Sequence, residues 1–231
     1  GPGRRWGPAG LTATLQAAGA DAAAPLVKSL IWAAAGASAT ILLAWPLAWA
    51  ARRPGPWRWI AAAAVALTLA TPGPVAGMAL VQAYHEYPTI YDGPLIVVLA
   101  DVVRTLPYTV LVLWPALRVV PQEFLDGAAL DGYGPWGQIR RVVLPLSRGA
   151  LGAAWGVAFV LALGELPASN LVEPPSRTLL VTKLIWSLLH TGVDSRLAGV
   201  GLVLLGVIAV VGLTATWALG RLARHEEELA T

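Results

Sequence analysis

The sequence predicts an all-α fold, a polytopic membrane helical bundle of about five transmembrane helices. Two observations carry that expectation. Hydrophobic residues make up 57% of the 231 and charged residues only 13%, about half the charged share of a soluble domain. The mean hydropathy is +0.65, and a soluble chain of this length has no interior large enough for so much apolar surface. The apolar residues also fall in runs near the ~20 that a helix needs to cross a bilayer.

Five runs meet that requirement. They are Leu26 to Ala51, Trp59 to about Ala83, Leu95 to about Val119, about Leu151 to Glu165, and Leu197 to Leu222. Residues 1–25 are alanine-rich and lack a strong apolar core, so they read as an extracytoplasmic segment or loop remnant. Residues 223–231 read as a solvated cytoplasmic tail. The stretch Thr178 to Leu189 is too short to cross and suits the interface. Pro46, Pro72, Pro74, Pro107 and Pro115 punctuate the spans. Inside a bundle neighbouring groups satisfy the carbonyls that proline frees, so kinked helices are expected. The small residues from Ala33 to Ser38 allow close backbone approach.

Cysteine is absent, which excludes disulfides and thiolate chemistry. His85, His190 and His225 are far apart, with no metal-ligand spacing, so no metal site is expected. His85 with Glu86 and Tyr87 reads as a surface group. The chain opens on Gly1 and its only methionine is Met78, which predicts a processed chain or a piece of a longer one. Basic residues set the orientation. With the N-terminus outside, nine Arg fall in inner segments and six Arg or Lys in outer ones, and the short 52–58 loop holds three Arg and no acid. That balance favours N-out, C-in.

On this topology Phe124 to Leu146 is cytoplasmic. Acids at Glu123 and Asp126 suit the first turn of a short helix. "DGYGP" breaks it, with Gly132 and Gly134 permissive and Pro135 opening a second short helix that Pro145 ends. A generic amphipathic interfacial loop accounts for this composition. The spacing is more particular. It resembles the EAA loop of permease subunits in binding-protein-dependent ABC importers, E-A-A-x-x-x-G followed further on by I-x-L-P. Asp126, Gly127 and Ala128 stand at E-A-A, Asp131 and Gly132 at the glycine, and Val142, Leu144 and Pro145 at the close. Aspartate replaces glutamate, and Gly127 replaces an alanine.

"SLIWAAAGASATILLAWPLAWAARR", "RTLPYTV" and "GELPASNLVEPPSRTLLVTKLIWSLL" are similar to the ferric-iron and thiamine-type branch of this family. The resemblance covers about Leu26 to Leu222. It implies a transport subunit forming half of a translocation pathway, with residues 26–222 as the transmembrane domain and the loop at about 121–146 coupling it to an ATPase. The implied partners are a cytoplasmic ABC ATPase dimer, a second permease half (identical, sister or fused), an extracytoplasmic substrate-binding protein and the lipid bilayer, with no nucleic acid. The implied site is the bacterial inner membrane, and the implied solute ferric iron, with thiamine or phosphonate-like solutes behind it. The subunit itself is expected to hold no cofactor, ATP and magnesium belonging to the ATPase. No GxxxxGK[ST] occurs and Lys28 and Lys183 are the only lysines, so ATP hydrolysis here is not expected. Neither is a catalytic residue.

Ionisable residues within spans are pathway candidates. Asp101 and Arg104, three residues apart, suit either an internal salt bridge or a substrate contact. Glu165, with Ser169 and Asn170, either lines a gate or caps the fourth span. "AYHEYPTIYDG" and "EPPSR" are loop candidates for meeting the binding protein. A secondary transporter or channel bundle, needing no ATPase, is the alternative. The two halves show no convincing internal repeat, which counts against it.

Overall fold

Helix α1 runs unbroken from Pro8 to Ala50 in the computed structural model. At 1.5 Å per residue its 43 residues reach about 65 Å, roughly twice the hydrocarbon thickness. The structure describes residues 8–165, 167–172, 180–191 and 197–213. Residues 8–25, expected as a loop, are therefore helical. Alanine favours the helix, and Ala18 and Ala22 are fully buried against Val181 and Val200. Pro25 and Pro46 both sit inside α1 without ending it.

Helices α2 (Pro56–Ala70) and α3 (Gly73–Tyr84) replace the expected second span, bent by 105° at their junction. This is a break rather than a kink. Pro72 and Pro74, either side of Gly73, each lack a backbone donor, and Thr71, before a proline, is held extended at φ −83°, ψ 116°. Short α4 (Pro88–Tyr91) leads into α5 (Leu95–Arg118), which matches the expected third span. Pro107 and Pro115 lie within α5.

The polar loop comprises α6 (Gln122–Leu130) and α7 (Pro135–Gln138). The second short helix does not stop at Pro145 as expected. It passes through a π turn, Ile139–Val143, into α8 (Leu144–Leu163). The Leu144 N–H reaches back five residues to the Ile139 carbonyl. This wider turn lets the chain carry Pro145, which has no N–H to give, without stopping.

Helices α9 (Pro167–Val172) and α10 (Val181–Thr191) follow, and α11 spans Leu197–Leu213. The rest of the expected fifth span, the tail and the "EPPSR" segment lie outside the described residues. Among the described residues, three helices are long and apolar enough to cross a membrane, four if α2 and α3 form one span. Shorter α11 is also apolar. The fold is thus a polytopic helical bundle with no strand among the described residues.

Helix α5 is the hub, packed on α1, α8 and α2. Ala44, Ala48, Leu113, Leu117, Leu125 and Val143 form one buried cluster, so α6 is bound into the bundle rather than tethered to it. Ala33 and Ala37 pack on Ala158 and Phe159 in a second. Basic side chains gather where α1, α2, α5 and α6 meet. Arg58 and Arg118 lie on the Trp114 ring, whose Nε1 donates to the Ala51 carbonyl. Arg52 lies over Trp49, with its guanidinium lowered to about 10 by burial and by Arg53.

Candidate functional site

Two polar regions interrupt the apolar bundle, one at α6 and one around the middle of α5. The first is built by helix termination. Gly132 takes φ +84°, where a Cβ is strained. Its N–H donates to the Ala129 carbonyl, and the Tyr133 N–H donates to that of Ala128. This pair is the Schellman arrangement, which satisfies the carbonyls at a helix end. A Cβ on Gly132 would meet nothing within 4 Å, so backbone angle, not space, requires the glycine. Gly127 is likewise unobstructed, and it lies within α6.

Leu125 and Ala128 turn inward, whereas Phe124, Leu130 and Trp136 are 56%, 90% and 73% exposed. Asp126 and Asp131 are exposed beside them. Asp126 accepts from the Gln122 side chain at 2.8 Å, and Gln122 accepts from Arg53 at 2.6 Å. The acid thus joins α6 to the α1–α2 turn through Gln122. Val142, Leu144 and Pro145 fall at the π turn and the start of α8. The residue that anchors this end is Val143, fully buried against Leu125.

The second region departs from expectation. Asp101 and Arg104 do not pair. Three residues apart, they face different neighbours: Asp101 faces α1, and Arg104 faces the α2 end and Glu165. Arg104 Nε lies 3.5 Å from Glu165 Oε2, and its Nη1 donates to the Thr71 carbonyl at 2.9 Å. Glu165 Oε1 accepts the Ala168 N–H at 3.0 Å. The ion pair therefore bridges the carbonyl end of α2 and the amide end of α9, each charge matched to the helix end it meets. Glu165 caps the start of α9, not the fourth span as expected, and it also lines a cavity. Helix α3 rests on α9 through Gly77, where a Cβ would lie 3.1 Å from the Ala168 carbonyl. Ser169 and Asn170 fall on α9, and their side chains lie outside the described residues.

Asp101 is 2% exposed, and Thr105 and Thr109 are fully buried. At i, i+4 and i+8 the three share one face of α5, a spacing readable in the sequence that the site expectation passed over. The Thr105 hydroxyl donates to the Asp101 carbonyl and lies 2.8 Å from that of Thr40 on α1. Gly36 makes room for the acid, since a Cβ there would come within 2.8 Å of Asp101 Oδ2. Among the described residues no group of three or more His, Cys, Asp or Glu is placed to hold a metal ion.

Comparison with known proteins places this architecture in a family. Residues 27–226 match the family of binding-protein-dependent transport system inner membrane components, and the chain belongs to it. That is a family of transport components rather than enzymes. The chain is 28% identical over 116 residues to the spermidine/putrescine transport system permease protein PotC of Escherichia coli K12, covering 50% of this chain and 43% of PotC. The putrescine transport system permease protein PotI of the same strain is 28% identical over 130 residues, 56% of this chain and 46% of PotI. The trehalose transport system permease protein SugA of Mycobacterium tuberculosis H37Rv is 38% identical over 56 residues, 24% of this chain and 18% of SugA. The chain thus spans less than half the length of these relatives. Their names carry polyamines and trehalose, so the expected ferric-iron and thiamine branch finds no support in them.

Proposed function

We propose that this chain is the permease subunit of an ATP-driven importer, forming half of a pathway for a small organic cation of the polyamine class. One observation carries the importer reading. Between two apolar helices, α6 is closed by Gly132, anchored by Leu125 and Val143, and bare at Phe124 and Leu130, with Trp136 exposed on α7 just beyond it. A short helix held rigidly on the bundle, with an apolar outer face in water, suits a groove on a cytoplasmic ATPase. Its anchorage lets movement of that partner turn the bundle as a body. The reading includes an N-out, C-in orientation, a second permease half and an extracytoplasmic binding protein.

The polyamine class rests on the two longer-matching relatives. Uptake of labelled putrescine into vesicles, with and without ATP, tests the whole reading. ATP-dependent uptake supports it. Transport that proceeds without any ATPase would instead establish the secondary transporter, and uptake of trehalose but not putrescine would make the solute a sugar.

A further inference from the structure

Asp101 lines a narrow cavity between α1, α5, α8 and α10, with Ser29, Trp32, Glu165 and Thr182 around it. Its water-accessible volume is about 10 Å³, room for one water-sized group. The carboxylate is almost wholly buried, and its Oδ1 has no hydrogen-bond partner among the described residues. A bare buried carboxylate is costly and calls for a positive partner. The nearby cation does not serve, because Arg104 is engaged by Glu165 and the Thr71 carbonyl. Of the two acids that line the cavity, Glu165 is paired with Arg104, and Asp101 has no cation partner among the described residues.

We infer that this cavity is a site for the protonated amine of an alkylammonium solute, with Asp101 as its charged acceptor. The chemistry fits one ammonium group. Oδ1 accepts one N–H, the Thr182 hydroxyl offers a second acceptor, and the Trp32 ring a face for the positive charge. Ser29 is already tied to the chain through the Val181 N–H at 2.9 Å, so it helps hold the wall. The void has room for one water-sized group, the size of an ammonium head, and not for a bulkier one. Gly36 is the reason the carboxylate can sit here, since a Cβ at that position would come within 2.8 Å of it. This assignment rests on the importer reading and names the part of the pathway that receives the charge.

The test is putrescine binding to the full detergent-purified chain, followed by thermal shift and calorimetry, with sodium chloride and trehalose as controls. Putrescine is expected to raise Tm by at least ~2 °C, with no comparable rise in either control. Asp101→Asn is expected to keep or raise the unliganded Tm and to weaken putrescine at least about tenfold. Thr182→Val, close in shape, is expected to weaken it severalfold and decides the matter if D101N does not yield folded protein. Wild-type putrescine affinity in folded D101N, or in T182V when D101N does not fold, overturns the site, as does an equal response to sodium chloride. Retention of an ATPase on purification is scored separately. An amine response that depends on Asp101 without a retained ATPase upholds the site and fails the importer. A retained ATPase with no such response does the reverse.

Discussion

Gly127 and Gly132 lie five residues apart on the same loop and answer to different physics. At Gly132 the backbone is left-handed, and an alanine there is strained by about 1 kcal/mol or more. Gly132→Ala should therefore lower the Tm of the purified chain. Gly127 is in ordinary helix with open space around it. Gly127→Ala should raise stability by about 0.5–1 kcal/mol, which thermal unfolding in detergent would register as a higher Tm. If the same variant also loses a co-purifying ATPase, the glycine serves close approach by the partner. Unchanged stability in both variants would remove the helix-end account of α6.

At the scale of elements, the Arg104–Glu165 pair is the joint where two interrupted helices meet. The pair is partly buried, with side chains 24% and 12% exposed. Arg104→Met frees the Thr71 carbonyl and leaves Glu165 without its cation, so a loss of about 2 kcal/mol is expected, allowing for solvent screening. The double variant Arg104→Met with Glu165→Gln should recover part of it, because the stranded charge is gone. A double-mutant cycle by chemical or thermal unfolding measures that coupling. Additive losses would mean that the two side chains act independently and that α2 and α9 are held by packing alone.

For the whole molecule the question is which end of the bundle faces the ATPase that the proposed function requires. The chain contains no cysteine, so single cysteines report topology without background. Leu130→Cys is expected to react with a membrane-impermeant thiol reagent only from the cytoplasmic side, and Glu86→Cys only from the opposite side. The reverse pattern would overturn the N-out orientation. Replacing the exposed trio of Phe124, Leu130 and Trp136 by serine should abolish ATPase co-purification and leave helix content unchanged by circular dichroism. Those side chains contact little of the bundle and so contribute little to its folding.

The membrane class, the position of the third span and the helix–glycine–proline order of the loop were legible in the sequence. Each depends on local composition or on period, and neither needs distant residues to be known. Gly132 and Pro135 act through their own backbone angles, so a reader of one segment can place them. The partner of Arg104 was not legible. Spacing on α5 suggested Asp101, but helix packing turned that acid toward Gly36 and brought Glu165 from the α8–α9 connection, 61 residues away in the chain. The 105° break was underestimated for a related reason. Two prolines announce lost donors, but how far the chain then turns depends on what receives α3, here the Ala168 backbone against Gly77. Sequence by itself determined that this protein lives in a bilayer and carries a polar helix–turn–helix loop between its spans, because hydrophobic length and turn chemistry are local. Only the tertiary structure decided which buried charge is paired and which is left facing a cavity, because pairing is a contact between helices that the chain order does not contain.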